Sequence, residues 1–353
     1  MTDIKIRSAR TTEEVERTAA AAGRAFADVP ESEFRRRIVD APALPVENTL
    51  LGLDGNDPVT SLQLYERQCW LDGAPVPVAG VGNVQTAPNH RGAGHASDLL
   101  DQAKTFAIEK GYPLVALVGD PSFYSRLGWQ PLGAASTVVS DPEPMTDDSD
   151  GASRWRPFDP NEASDFDAVA AVHRAERRGA DGAFNRYPTL WRNWVFEVLV
   201  GPENVHRYYE DGEPTGYLVR RQGEDAVVCL EVGYRGDDRA SFLTATWNLL
   251  VEAVTDEVER ETATATSLTD EDSPGETTSI RWDPPLDALA GALRATGHDL
   301  RTETMRERTG ETPMLWAAPD LLDAATGGAF DSAEAVGERV VGPDRWFPAL
   351  DKF

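Results

Sequence analysis

The sequence predicts a mixed α/β protein made of two successive domains of one fold, and three observations lead there. The chain has 353 residues, about two domains at roughly 150 residues each. Short apolar runs with period-two alternation are interleaved with segments of helical period. A polar, acidic, proline-bearing stretch from Asp141 to Gly151 interrupts this pattern, and the order of strands and helices before it recurs after it. Hydrophobic residues make up 41% and charged residues 27%, proportions of a folded globular protein.

In the first half, Ile4–Ser8 alternates as a strand and leads into a helix over Thr12–Phe26, with Thr11 or Thr12 as cap and Glu13 and Glu14 in the first turn. Strands are expected at Thr49–Leu53, Val59–Leu71 and Val76–Thr86, the last two joined by Asp72-Gly73, a hairpin dipeptide. Ala96, Leu99, Leu100, Ala103 and Phe106 share one face of a helix over Gly94–Lys110. A strand at Leu114–Val118, a short helix at Ser122–Leu127 and a strand beyond Trp129 complete a domain of residues 1–140.

Residues 141–152 read as a linker too acidic to add to a core. The second domain, 153–318, is expected to hold strands at Trp155–Pro157, Val205–Tyr209, Gly216–Arg221, Val227–Tyr234, Ser279–Trp282, Asp299–Glu307 and Met314–Ala317. Its helices are expected at Ser164–Arg178, Leu190–Leu199, Ala240–Val258 and Leu286–Thr296, and residues 319–353 form a tail.

Sixty acidic residues against 34 basic ones give a net charge of −26, which repels phosphate backbones and disfavours nucleic acid as a partner. The only lysines are Lys5, Lys104, Lys110 and Lys352; an acidic, lysine-poor surface stays hydrated at high salt, so the charge is read as adaptation to a salt-rich interior. An acidic cleft for a cationic amine is the rival explanation of the same charge. No run of about 18 apolar residues and no signal-peptide pattern is seen, so the expectation is a cytoplasmic protein without membrane association. Cys69 and Cys229 sit in apolar strand-like runs and read as buried, reduced thiols. No metal site is expected, because His173, His206 and His298 lack ligand spacing.

The informative stretch runs from Val81 to Ala96. A strand ends at Thr86 or Ala87, Pro88 stops the ladder, and a turn with Gly92 and Gly94 opens directly into a helix. Glycines let a ligand approach the backbone, while free N–H groups and the positive dipole end can hold a pyrophosphate. The spacing is neither that of a dinucleotide fingerprint nor that of a P-loop.

Arg91-Gly92-Ala93-Gly94-His95-Ala96 resembles the pyrophosphate loop of the GCN5-related N-acetyltransferases, the GNAT family, whose pattern is Gln/Arg-x-x-Gly-x-Gly/Ala. The surrounding order strengthens the likeness: a strand into Thr86-Ala87-Pro88, a strand at Leu114–Val118, then Phe123-Tyr124-Ser125-Arg126-Leu127-Gly128-Trp129. The resemblance implies two tandem acyl-CoA N-acyltransferase folds, acetyl-CoA as cosubstrate, and acetyl transfer to a primary amine on a small molecule. It implies cofactor contacts from Val84, Gln85 and Thr86, whose main chain would pair with the pantetheine arm, from Arg91, Gly92, Ala93, Gly94, His95 and Ala96, and from Ser122.

With Tyr-x-Arg-x-Gly-aromatic at Tyr124–Trp129 and a second domain behind it, the chain resembles more narrowly the enhanced intracellular survival (Eis) type. There the tyrosine is the general acid and the C-terminal carboxylate the base, which implies those roles for Tyr124 and Phe353. The stretch after Ala317 is too short for that type's sterol-carrier-like third domain. Direct attack by an amine needs a base for its proton and a donor for the departing thiolate, and a phenol can be that donor.

Plainer readings stand beside these. Tyr124 can pack between helix and sheet, Arg91 can form a surface ion pair, and Glu66 is a candidate base whose face alternation alone does not choose. The second domain has Gly233-Tyr-Arg-Gly-Asp-Asp-Arg239 where the loop would be, acids that repel a pyrophosphate, so it is read as degenerate. A non-catalytic acyl-CoA-binding protein is the alternative function, and transfer to protein amino groups a third; self-association into a homo-oligomer is left open.

Overall fold

The computed structural model describes residues 4–26, 29–40, 44–145, 154–192, 195, 200–223, 225–265, 279–283 and 287–340. The first half runs β1 (Lys5–Ser8), α1 (Thr12–Ala25), α2 (Glu31–Arg35), β2 (Thr49–Asp54), β3 (Asp57–Leu71), β4 (Ala74–Thr86), α3 (His95–Lys110), β5 (Leu114–Gly119), α4 (Pro121–Tyr124), β6 (Gln130–Pro131) and β7 (Ala135–Ser140). The second runs β8 (Trp155–Pro157), α5 (Ala163–Arg177), α6 (Pro188–Leu190), β9 (Val205–Glu210), β10 (Glu213–Gln222), β11 (Ala226–Tyr234), α7 (Arg239–Ala265), β12 (Ser279–Trp282), α8 (Asp287–Ala295), β13 (Leu300–Thr304), α9 (Met305–Thr309), β14 (Thr312–Ala317), α10 (Pro319–Thr326) and α11 (Ala333–Val340).

These strands form two seven-stranded sheets, ordered β1-β2-β3-β4-β5-β14-β6 and β8-β9-β10-β11-β12-β7-β13. Both follow one plan. All neighbours are antiparallel except a single parallel pair, β4 with β5 and β11 with β12. The mixed α/β class and the tandem repetition expected from the sequence are therefore what the chain adopts. The sheets are not contiguous in sequence, however. β7, within residues 1–140, lies between β12 and β13, and β14 fills the matching place between β5 and β6. The last strand of each half takes the place next to the edge strand in the other's sheet.

Local sequence explains the elements. The Thr11 side chain accepts from the Glu14 amide and starts α1, whose Val15, Thr18, Ala19 and Ala22 turn inward onto Leu51 and Leu53. Asp72-Gly73 (φ 48° and 75°) and Asp211-Gly212 (φ 51° and 84°) take the left-handed pair that a two-residue hairpin requires. α3 ends at Gly111 (φ 81°) and packs Leu99, Leu100, Ala103 and Phe106 on Leu62, Leu64, Val81 and Val115. On the opposite face of the same sheet, α10 and α11 cover Val76, Val78, Ala116 and Leu315.

Several elements differ from expectation, among them α2, which the sequence did not announce. The strand expected to Glu307 stops at Thr304, because Thr304 and Glu307 close a capping box that opens α9. α7 continues past Val258 to Ala265. The helix expected at Leu190–Leu199 is described only at α6 and its next turn; residues 193–194 and 196–199 lie outside the described residues. Two helices, α10 and α11, occupy the first part of the expected tail. Both cysteines are buried and unpaired. No helix among the described residues is long and apolar enough to cross a membrane.

Candidate active site

β4 and β5 pair only from Val78↔Leu114 to Gly80↔Ala116. Beyond that, β4 runs on to Thr86 and β5 to Gly119 without a ladder between them, so the sheet opens as a wedge at its only parallel joint. At Asn83 (φ 50°) β4 carries an extra residue, since Ser61 pairs with Gln85 but Gln63 with Gly82; this bulge re-aims the strand at the mouth. The Ala87 amide donates to the Val59 carbonyl (2.8 Å), which sets the phase of the ladder. Gln85 therefore bonds toward β3, and Val84 and Thr86, flanking it, turn their main-chain groups toward the wedge.

Pro88–His90 form one tight turn after β4, and Gly92 (φ 76°) and Gly94 (φ 91°) bring the chain into α3. A side chain at either glycine would meet open space, so it is the left-handed backbone that calls for glycine there. Gly94 is the N-cap of α3 and no side chain caps it. The first amides of a 16-residue helix thus face outward from an exposed loop, beside the wedge, with the positive end of the dipole behind them. The Arg91 guanidinium donates to the Thr86 carbonyl (3.1 Å) and to the Ala25 carbonyl (3.0 Å). It fastens the loop to β4 and to the C-terminal end of α1.

Tyr124 ends α4, just past the tip of β5. Its ring lies on Gly119 so closely that a methyl group there would overlap it, and it meets Phe123 and Trp129 edge-on at 5.0 and 6.2 Å. Burial, followed by the charges of Glu311 and Asp120, pushes the phenol up to about 12. A half-buried phenol that keeps its proton at this end of the sheet has the chemistry to donate it. Asp120 also caps the helix: its carboxylate accepts from the Ser122 amide (2.8 Å) and hydroxyl (2.7 Å), so the Ser122 side chain is already engaged.

The fold thus brings the wedge at Val84–Thr86, the loop at 91–96 and Tyr124 to one end of the first sheet. Gln85 is buried; its side chain donates to the Ser61 hydroxyl (2.9 Å), and its carbonyl accepts from the Thr60 hydroxyl (2.8 Å). Glu66 lies on the α3 face, where Asn48 donates to it (3.2 Å). Phe353 lies outside the described residues. His173 is buried beside Trp191, and burial, then Arg186, Arg177 and Arg174, hold it well below its usual value. Among the described residues no group of three or more His, Cys, Asp or Glu could hold a metal ion. Gly119 and Asn83 escaped the sequence reading; a glycine just before the Asp-Pro helix start was the only hint of the first.

The second sheet opens at the same joint, after Cys229↔Trp282, but its own side chains close it. Arg177 donates to the Val232 carbonyl (2.9 Å) and Glu176 accepts from the Tyr234 amide (2.9 Å). At the start of α7, where the loop would be, the Asp238 carboxylate accepts from the Ser241 amide (3.1 Å) and hydroxyl (2.8 Å). Deeper in, Glu231 is held by Arg186 (2.6 Å) and the Tyr217 hydroxyl. The groups that stand open in the first half are satisfied internally here.

Residues 5–132 match the family profile described as Acetyltransferase (GNAT) domain, which stops where the chain leaves the first sheet for the second. No curated protein matches the sequence. Among solved structures, a GCN5-related N-acetyltransferase from Anabaena variabilis is similar at TM-score 0.62 and 16% identity, over 89% of this chain and 73% of that one. A probable N-acyltransferase from Enterococcus faecalis gives TM-score 0.64 and 16% identity over 90% and 73%. Eis1 from Mycobacterium abscessus gives 0.55 and 18% over 88% and 73%. The likeness is one of fold, and it spans both halves of the chain.

Proposed function

We propose that the protein is an N-acetyltransferase that moves acetyl from acetyl-CoA to a primary amine by direct attack. What carries this reading is the uncapped start of α3 beside an opened β4–β5 joint: main-chain amides for a diphosphate, and a strand edge for an extended arm, end to end. Acetyl-CoA supplies the thioester. Gly92, Ala93, Gly94, His95 and Ala96 hold its diphosphate, and the main chain of Val84–Thr86 aligns the arm and offers an N–H to the thioester carbonyl. Tyr124 gives its proton to the departing sulfur, and the amine's proton passes to a base for which the Phe353 carboxylate is the proposed group. Orientation of the two reactants supplies much of the rate.

The second half, with its joint and helix start internally satisfied, walls the site and takes no acetyl-CoA. The charge of −26 supports the reading of a salt-rich cytoplasm, so assays belong in multimolar KCl. The test is release of free CoA thiol across a panel of small amines. Turnover with at least one is expected; acetyl-CoA binding without turnover on any amine would mean a non-catalytic binder.

The loop makes a separate prediction. Gly94→Asp would place at α3 the carboxylate that Asp238 presents at α7, against the diphosphate. Calorimetry with CoA should show binding weakened on the order of a hundredfold, and far less by Gly94→Ala, which carries the backbone strain without the charge. Equal losses in the two variants would remove the loop from the site.

A further inference from the structure

On β3, Leu62 and Leu64 pack under α3 while Cys69 and Leu71 pack on the opposite face, so alternation puts Ser61, Gln63, Tyr65 and Arg67 on that opposite face. Across the ladder lie Gln85, Gly82 and Gly80, and both glycines leave the floor of the wedge without side chains. This polar row sits between two apolar clusters, one under α1 and α2, the other under α10 and α11. Most of its groups are joined: Gln85 to Ser61 (2.9 Å), and Asn83 to the Tyr65 hydroxyl (2.8 Å). Gln63 is not. It is fully buried, and neither its Nε2 nor its Oε1 has a hydrogen-bond partner, nor has Oε1 of Gln85.

An unsatisfied buried carboxamide is costlier than an apolar side chain of the same size, so its presence asks for a partner that is not part of the chain. The neighbouring charges say what kind. The row's own charged group is Arg67, and the carboxylates nearest in sequence and fold are turned elsewhere: Glu66 to the α3 face with Asn48, Glu33 to Arg37, and Asp181 to the Asp72 amide and Arg339. In a chain of 60 acids, this face carries none on its strands.

We propose, resting on the acetyltransferase reading, that Gln63 is the specificity-determining residue for the acceptor, and that the acceptor is an amine with a carboxylate close to its nitrogen, the amino-acid class. One carboxamide offers Oε1 to the amine N–H and Nε2 to the carboxylate, and Arg67 adds positive charge on the same row. On the described strands of this face a polycation finds no acid to pair with.

The experiment compares CoA release with L-phenylalanine against phenethylamine, L-leucine against isoamylamine, and spermine, using the full chain in multimolar KCl. The amino acids should be favoured in kcat/KM by about tenfold or more over their decarboxylated partners. Gln63→Leu should erase that preference through KM for the amino acid, leave KM for acetyl-CoA unchanged, and keep or raise the thermal midpoint. Gln63→Glu should reverse the preference toward the decarboxylated amines, an effect a structural role would not give. Spermine or the plain amines as better acceptors, or a preference unmoved in Gln63→Leu, would overturn the proposal while leaving the acetyltransferase reading intact. If no amine turns over, that reading fails by itself, and calorimetry with L-phenylalanine and CoA still decides: ternary binding lost in Gln63→Leu supports the proposal, and absence of wild-type binding overturns it.

Discussion

Residues 1–140 expressed alone should fail to form a stable first sheet or to bind CoA, although they contain the wedge, the loop at 91–96 and Tyr124. β5 would lose its antiparallel partner from Thr312 to Ala317, and β6 its contact through Met314 and Leu315. Those two side chains are at most 2% exposed, and burying each is worth about 1.5–3 kcal/mol. The helices that cover Val76, Val78 and Ala116 would go as well, leaving an apolar face bare. Against a domain stability of roughly 5–15 kcal/mol these losses are decisive. The structure also suggests the repair. The Leu132 amide donates to the Pro313 carbonyl (2.7 Å), and the Thr312 hydroxyl to the Leu132 carbonyl (2.6 Å), so the two ends of the excursion lie side by side. A chain of residues 1–133 joined by a two- or three-residue turn to 311–340 should regain a cooperative unfolding transition and CoA affinity. Solubility, cooperative melting and CoA binding by 1–140 itself would show that β14 is dispensable.

Tyr124→Phe should lower kcat by about 10²–10⁴-fold, the range of a general acid, with KM for acetyl-CoA unchanged. The packing of the ring on Gly119, Phe123 and Trp129 does not involve the hydroxyl, so the variant should fold as the parent does. The pH profile sharpens the test. Because burial and the charges of Glu311 and Asp120 push the phenol up to about 12, it remains protonated while an alkylamine acceptor, near 10.4 in water, loses its proton. The parent rate should therefore rise with pH as the free amine appears, with no descending limb from Tyr124 below about 12. The phenylalanine variant should keep the shape and lose the height. Gly119→Ala, which drives a methyl into the ring, should fall by a similar factor through misplacement. Undiminished turnover in Tyr124→Phe would assign the donor to another group or to water.

Much of this molecule is legible in one dimension because the signals are local. Thr11 and Gly111 mark helix ends by their own chemistry, Asp72-Gly73 makes a hairpin whatever surrounds it, and Gly92 and Gly94 announce a left-handed loop before a helix. Thr304 and Glu307 were equally local, a capping box set within a strand-like run; there a long-range pattern hid a short-range one.

The sequence by itself determined the order of elements, the tandem α/β plan and the loop that opens α3, since each depends on backbone preferences and periodicities within a few residues. Only the tertiary structure decided which sheet receives β7 and β14, that Arg91 reaches carbonyls at Thr86 and Ala25, that Arg177 and Glu176 close the second joint, and that Gln63 is buried without a partner. Those outcomes depend on which surfaces meet, in the widest case across 180 residues of chain between Leu132 and Thr312, and an apolar strand carries no mark of the edge it will join.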